Sequence, residues 1–362
     1  MFNTNNCEWL LETADTPIRY RVFREILKDM KSVRKIESEL INHPVVEMWL
    51  KLLNPNNSVR KAENLIHGSP NEYIENAMLK IVQLGLNADT PIVADAIESY
   101  IDIIENYSLE KPLRKQSYDI IILANILTIG SVKNEKLLNL MFDNLDEMYT
   151  FALKGDCNIY LNEEERAMLK GVPKIWSECL HFTRPDLFDN FGMCWPLLYD
   201  IFGLTKLYGA YGTETDKKID TIMKFIANDE FHYTIADWYG ILINTMSRTR
   251  YYGHGWDPKF PGWFDVTDYI KTKSVPKLLF FAMYISKFPI ALKTKWFSDL
   301  LHCLEKYKTE KGTFKFPKEW LIEARGNAVM GSHMSFGENR RKSNWDEIES
   351  TFYMQLIYQN IE

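Results

Sequence analysis

The sequence predicts an all-α protein assembled from helical hairpins. Three observations lead to this prediction: apolar residues recur at helical spacing in nearly every segment, strand signals are scarce, and one helix–turn–helix pattern repeats along the chain. The chain has 362 residues, of which 46% are hydrophobic and 25% are charged. This composition is typical of a folded globular protein, so the sequence excludes a disordered or low-complexity chain.

A segment near the amino terminus shows the helical spacing clearly. In PIRYRVFREILKDM the residues Ile18, Val22, Ile26 and Met30 recur every four positions, while the basic residues fall outside this stripe. A Thr-Pro pair opens the segment, and such a pair is typical of a helix start. We therefore expect an amphipathic helix with one buried face.

The helix–turn–helix pattern repeats at a spacing of 44 residues or nearly twice that spacing. In each copy an apolar helix ends in a glycine-containing turn, a capping residue follows, and a second, amphipathic helix begins. The second helices are expected near Asp89, Lys133 and Asp216, at separations of 44 and 83 residues, and near Lys293 in a fourth copy. A hairpin of this size cannot bury its apolar face alone, so we expect the hairpins to stack on one another.

The first helix of each hairpin is the more apolar one, as in residues 120–129, and the second carries the charges. This contrast predicts a buried inner layer of helices and a solvated outer layer. Open superhelices and closed α/α toroids both satisfy it. Connections of unequal length, among them the aromatic segment YYGHGWDPKFPGWFD, favour a closed toroid, and residues 1–362 are expected to form one such domain.

Charge and cysteine content exclude several functional classes. The net charge of -6 provides no general attraction to nucleic acid or anionic lipid. The five cysteines are widely separated, which disfavours a disulfide scaffold or a four-thiolate zinc site. No secretory signal or membrane-spanning run of apolar residues is visible, so we expect a cytoplasmic protein without membrane insertion.

Four stretches resemble a known family: WLLETADTPIRYRVFREIL, CWPLLYDIFGLTKLYGAYGTETDKKIDTIMKFI, KGTFKFPKEWL and RKSNWDEIESTFYMQLIYQ. They look like the α/α-toroid proteins related to terpene cyclases and protein prenyltransferases, particularly bacterial prenyltransferase- or squalene-cyclase-repeat-like proteins. The resemblance implies a terpenoid-cyclase-like closed ring of helical pairs around a central cavity. The D-x-D-D and D-D-x-x-D motifs of the catalytic members are absent, so it does not identify a reaction. No metal or cofactor site is predicted from any motif.

Asp200 is the first candidate catalytic residue. It lies in an apolar inner helix next to Tyr199, which is a candidate ligand contact. A carboxyl in such a setting has a raised pKa and can act as a general acid or base. The alternative is a structural role, in which Asp200 bonds to the backbone of a neighbouring helix or pairs with an arginine.

A second group of candidates lies in FHYTIADWYG and in the aromatic segment 251–265. Asp237 and Trp238, on a predicted helix, resemble the acidic group and aromatic wall of a polar-ligand pocket. In the aromatic segment, His254 and Asp257 are candidate catalytic groups. The density of rings there suits a lid or a ligand-stacking wall, or alternatively a simple cover for the core. The candidate stacking residues in this segment are Trp256 and Trp263.

These observations support two functional hypotheses. The first is a pocket protein that takes a small organic ligand, with acid–base chemistry of the cyclase, isomerase or lyase type. The candidate catalytic residues, expected around one cavity, are Asp200, Asp237, His254 and Asp257. The second is a non-catalytic helical-repeat scaffold that binds a peptide or protein partner in its concave face.

Overall fold

The computed structural model describes residues 4–53, 74–98, 128–130, 135–172, 181–184, 187, 195–244, 249–255, 257–272, 275–322 and 335–361. These residues are mostly helical, with one two-stranded antiparallel sheet. Apart from that sheet, the all-α prediction is confirmed. None of the described helices has the length and apolarity needed to cross a bilayer.

The elements follow one another in this order: α1 (Thr4–Thr13), α2 (Thr16–Arg21), α3 (Met30–Ile41), α4 (Pro44–Leu53), α5 (Ile74–Gln83), α6 (Glu135–Lys154), α7 (Glu163–Ala167), α8 (Leu198–Leu207), α9 (Thr213–Ile226), α10 (Asp229–Thr234), β1 (Tyr239–Asn244), β2 (Thr249–His254), α11 (Val266–Thr272), α12 (Val275–Ile285), α13 (Pro289–Leu292), α14 (Lys295–Glu305) and α15 (Trp345–Tyr358). Helix α2 continues directly into a π-helix, Val22–Ile26, and Lys318–Trp320 forms a 3-10 turn.

The first predicted amphipathic helix is interrupted. After α2 and the π-helix, Lys28 adopts a left-handed backbone with a φ of 53°. The carboxylate of Asp29 then accepts hydrogen bonds from the backbone N–H groups of Lys31 and Ser32 and caps α3. The apolar spacing of this segment is therefore divided between two helices, because the chain turns at Lys28.

The predicted hairpins are present in the described parts of the chain. Helix α5 is followed by a turn and by helical residues 91–98, α8 is followed by α9, and α12 is followed by α14 after the short α13. In α8 every residue is buried except Lys206, and α12 is buried along its whole length, whereas α9 is buried on one face only. The predicted contrast between an apolar first helix and an amphipathic second helix is confirmed for these pairs.

The two ends of the chain meet. Helix α1 packs on α15, and the Cys7 Sγ lies 3.7 Å from the amide oxygen of Gln355. The Lys342 ammonium, which precedes α15, forms an ion pair of 2.6 Å with Asp15. Helix α15 is buried on all sides. Contacts between residues more than 300 positions apart therefore tie the first helices to the last one.

The hairpin of β1 and β2 was not predicted. Its register pairs Tyr239 with His254, so the first residues of the aromatic segment 251–265, expected to be a connection between helices, form part of a strand. At Gly240 a side chain would begin 2.4 Å from the ring of Phe182, so only glycine fits beneath that ring. The glycine allows the hairpin to pack closely on residues 181–184.

Candidate functional site

A cavity of about 740 Å³ lies where the carboxyl ends of several helices meet. Residues from the last turn of α5, α8, α12 and α15, or just after it, line this cavity, together with the π-helix and residues 128–130. Its volume is within the range of sites that enclose small organic ligands. The cavity thus lies at the carboxyl ends of these helices, and no residue of β1 or β2 lines it.

Seven of the twenty residues that line the cavity are charged. The described residues that carry charge there are Arg21, Arg24, Lys28, Lys206 and Lys287 on the positive side and Glu25 and Asp89 on the negative side. Five positive charges against two negative charges leave an excess of three. We call this space the basic cavity.

Two of the cations have structural partners. Arg21 donates two parallel hydrogen bonds to Glu25, of 2.9 and 2.8 Å, and a third of 3.0 Å to the carbonyl oxygen of Gln83. Arg24 donates to the carbonyl oxygen of Gly85 and, at 3.2 Å, to Glu25. Helix carboxyl ends carry partial negative charge, and these two guanidinium groups neutralise that charge at the end of α5.

The carboxylate at the centre of this arrangement stays ionised. Burial acts to raise the pKa of Glu25, but the guanidinium groups of Arg21 and Arg24 and the ammonium of Lys287 outweigh it and lower the pKa to about 2. Glu25 is therefore a fixed negative charge that holds the two arginines in place. It is already shared between them, so it offsets little of the remaining positive charge of the cavity.

The lysines differ from the arginines. In the part of the chain that the structure describes, neither Lys206 nor Lys287 forms an ion pair or donates a hydrogen bond to protein, and the same holds for Lys28. Burial and the charge of Lys287 lower the pKa of Lys206 to about 8. Lys206 is exposed to the solvent of the cavity, which is itself partly open. These ammonium groups are available to a ligand.

Two unusual backbone features lie at the same place. The π-helix Val22–Ile26 supplies Arg24 and Glu25 to the cavity, and Lys28 has the left-handed backbone that most side chains avoid. A π-turn and a left-handed non-glycine residue each cost conformational energy and are enriched at functional sites. Their coincidence with the unpartnered lysines supports a functional role for the basic cavity.

Asp200 and Tyr199, predicted as site residues, have protein partners elsewhere. Asp200 accepts hydrogen bonds from the backbone N–H of Leu197 and from the side-chain amide of Asn144, both of 2.8 Å. Burial raises the pKa of Asp200 to about 6 in spite of these bonds. Tyr199 donates to Glu75 at 2.7 Å. Asp200 thus accepts a hydrogen bond from the backbone at the start of α8 and links α8 to α6 through the side chain of Asn144.

Asp237 and Trp238 lie on no helix, so that prediction is wrong. Helix α10 ends at Thr234, where the next residue is already extended, and the chain proceeds to β1. Both residues are exposed, and Asp237 forms an ion pair of 3.1 Å with Lys259. The aromatic wall inferred for these residues therefore faces solvent.

Asp257 accepts two hydrogen bonds on one of its carboxylate oxygens. Its Oδ1 atom accepts hydrogen bonds from the indole of Trp195 at 3.0 Å and from the hydroxyl of Tyr239 at 2.9 Å. Burial raises the pKa of Asp257 to about 7, although both bonds act to lower it. His254 lies at the end of β2, where only its backbone is described, and Trp256 lies outside the described residues.

Trp263 belongs to a packed group of rings that we call the aromatic cluster, formed by His232, Phe260, Trp263, Phe281 and Trp296. Trp263 stacks on His232 with ring centres 4.3 Å apart, and its indole donates to Asp229 at 2.7 Å. Trp296 donates to the carbonyl oxygen of Pro261 at 2.8 Å. Of the aromatic residues in this segment, Phe260 is thus part of the core and Trp263 packs against it.

Of the predicted site residues whose side chains are described, none lines the basic cavity. The catalytic and ligand-binding roles predicted for them remain predictions. Sequence reasoning missed the lysines and arginines of the cavity. One signal was present: Arg21, Arg24 and Lys28 follow one another at spacings of three and four, which place them on one helix face.

No family model, curated protein or solved structure matches the chain. Among the described residues there is no group of three or more histidine, cysteine, aspartate or glutamate side chains placed to hold a metal ion.

Proposed function

We propose that the protein binds a small organic anion in the basic cavity. The observation that carries this proposal is the set of lysine ammonium groups, Lys28, Lys206 and Lys287, which line the cavity without a hydrogen-bond partner in the described part of the protein. An ammonium group that is partly removed from water gains free energy when a carboxylate or phosphate oxygen takes the place of the lost hydration. Placing an ammonium group in a cavity loses part of its hydration free energy, and binding an anion offsets this loss.

The helical arrangement that goes with this proposal is the closed α/α toroid expected from the sequence. Helices α5, α8, α12 and α15 all present their carboxyl ends to the basic cavity, which supports a common direction for the inner helices. Helices α1 and α15 pack together, which supports closure. A compact chain of this length has a radius of gyration of about 21 Å, and small-angle X-ray scattering tests this, because an open superhelix gives a clearly larger value.

The cyclase, isomerase or lyase activity expected from the sequence becomes, in this proposal, a reaction of the bound anion. Such a reaction needs a group that exchanges protons near neutral pH. Lys206, with its pKa lowered to about 8, is the candidate within the cavity. We keep the cytoplasmic location and the absence of nucleic-acid partners as parts of the same proposal.

Calorimetric titration with citrate, inorganic phosphate and a short glutamate peptide tests the binding. We expect one of the small anions to bind and the affinity to fall about tenfold or more for each of Lys206→Met and Lys287→Met, since each removes a charged hydrogen bond. The matched control is Lys217→Met with Lys224→Met, two exposed lysines on α9, which we expect to leave binding unchanged.

The outcomes separate the two functional classes. Equal binding by the cavity variants and the wild-type protein, or no binding of any anion, contradicts the proposal. Tight binding of the peptide with no binding of citrate or phosphate favours the scaffold hypothesis instead.

A further inference from the structure

We infer that Lys206 is a nucleophile that forms an imine with an anionic aldehyde or ketone held in the basic cavity. This inference rests on the proposed function, since the anionic group of the ligand must bind there first. It adds the chemical class of the ligand, a carbonyl compound that also carries a carboxylate or phosphate. It also assigns a covalent role to one residue.

The placement of Lys206 is the first argument. All other residues of α8 are buried, and Lys206, one residue before the end of this helix, is its single residue open to solvent. Its side chain lines the basic cavity, which is partly open to solvent. A buried helix thus places one amine in a cavity of ligand size, which is a placement that suits a covalent amine.

The neighbours of Lys206 favour the free amine. Lys287 follows α12, which packs on α8, and it lines the same cavity. Together with burial, the charges of Lys287, Arg24 and Arg21 disfavour the protonated form of Lys206, while Glu25 acts in the opposite direction and is held by the two arginines. A lysine beside another cation, with its hydration reduced in part, has the environment that activates an imine-forming amine.

The cavity also supplies the other groups that the reaction needs. Lys287 and Lys28 can bind the carboxylate or phosphate of the ligand. Tyr284 lines the cavity, and burial raises its pKa, so its hydroxyl stays protonated and can donate a hydrogen bond to the carbonyl oxygen of the ligand.

The step balances without an external oxidant or reductant. The free amine of Lys206 attacks the carbonyl carbon, a carbon–nitrogen bond forms as the carbonyl π bond opens, and one proton passes from the nitrogen to the oxygen. The resulting carbinolamine accepts a second proton, from water, on its oxygen. The carbon–oxygen bond then breaks, and the loss of water leaves a protonated carbon–nitrogen double bond. The net change is one amine, one carbonyl and one proton converted into one protonated imine and one water molecule.

Pyruvate and lactate test this inference, because they carry the same charge at nearly the same size and differ in the carbonyl. The full-length protein is incubated with pyruvate and sodium cyanoborohydride, which reduces the imine to a stable secondary amine, and the modified lysines are located by peptide mass spectrometry. We expect labelling at Lys206 to exceed that at the exposed Lys217 roughly tenfold to a hundredfold at pH 7.5, since a lysine with a pKa near 8 has far more free amine than an ordinary one.

Controls complete the experiment. Added lactate should slow the labelling of Lys206 by competing for the anion site, and Lys206→Arg should abolish the label there while keeping the charge. Equal labelling of Lys206 and Lys217, with pyruvate and lactate both shown to bind by calorimetry, overturns the imine and leaves the anion site standing. Absence of binding by pyruvate, lactate, phosphate and citrate alike overturns the proposed function itself.

Discussion

The basic cavity and the aromatic cluster differ in what their polar side chains contact. In the aromatic cluster the indole groups of Trp263 and Trp296 donate to Asp229 and to the carbonyl oxygen of Pro261. In the basic cavity Lys206 and Lys287 have no such partner among the described residues. Polar groups with protein partners stabilise a fold, whereas charged groups that line a cavity without such partners can bind a ligand, as proposed for these lysines. No residue of the aromatic cluster lines the basic cavity, so the density of aromatic residues in the sequence did not indicate that cavity.

The largest effect of a substitution is expected at the centre of the aromatic cluster. Phe260 is 2% exposed and contacts the rings of Phe281 and Trp296. We expect Phe260→Ala to lower the free energy of unfolding by about 3–5 kcal/mol, because it removes a buried ring and leaves a void. Urea denaturation measures this. The matched control is Phe264→Ala, since Phe264 is 63% exposed and should change the free energy by less than about 0.5 kcal/mol. Equal effects of the two substitutions would show that the cluster is not a packed core.

The buried carboxyl of Asp257, near the aromatic cluster, gives a pH-dependent test. Its pKa is raised to about 7 in the folded protein, so between about pH 4 and pH 7 the folded state binds more protons than the unfolded state. Stability contributed by this group is therefore lost as pH rises, by roughly 3–4 kcal/mol over the whole interval. Asp257→Asn should remove this loss, which unfolding curves at pH 5 and pH 8 measure. Asp237→Asn, at an exposed position, should keep the wild-type profile; a shared profile for both variants would contradict the raised pKa.

The carboxylate of Glu25 should respond to pH in the opposite direction. Its folded pKa of about 2 lies below the unfolded value of about 4.3, so its contribution is complete above about pH 5 and is lost as pH falls toward 2. Glu25→Gln should cost about 3 kcal/mol at pH 7, because it leaves Arg21 buried without its anion, and should make the protein less sensitive to acid. The exposed Glu214, paired with Lys217 at 3.7 Å, serves as control. Glu214→Gln should lower the free energy of unfolding by less than about 0.5 kcal/mol. A similar decrease for both variants would show that Glu25 does not hold the two arginines.

The smallest expected effect concerns the backbone beside the basic cavity. Lys28→Gly should stabilise the protein by about 0.5–1 kcal/mol, because glycine adopts the left-handed backbone without strain. The same substitution should weaken anion binding, since one of the three unpartnered ammonium groups is lost. Lys31→Gly, in the first turn of α3, should instead destabilise by about 0.5–1 kcal/mol. Thermal unfolding distinguishes the stabilising effect of Lys28→Gly from the destabilising effect of Lys31→Gly. A decrease in stability for Lys28→Gly would show that the backbone of Lys28 is not strained.

Much of the helical fold was predictable because it follows from local spacing. The apolar runs of α8 and α12 and the amphipathic pattern of α9 are visible in the sequence and survive in the structure. The hairpin of β1 and β2 was missed, since the segment from Phe231 also has helical spacing and the chain leaves the helix at Ile235 because of tertiary contacts. Asp200 and Asp257 were predicted as catalytic groups, but their hydrogen-bond partners Asn144 and Trp195 lie 56 and 62 positions away, so no local pattern indicated these bonds.

By itself the sequence determined the helical class, the hairpin unit and the contrast between buried and solvated helices, because these depend on which apolar residues recur within one or two turns. Only the tertiary structure decided where the charges meet. Arg21, Lys206 and Lys287 lie on three helical segments separated by more than 80 positions from each other, and they line one cavity because the carboxyl ends of α5, α8, α12 and α15 converge there. The electrostatic character of a cavity depends on distances in space. Sequence spacing carries no information about the distances between helices that lie far apart in the sequence.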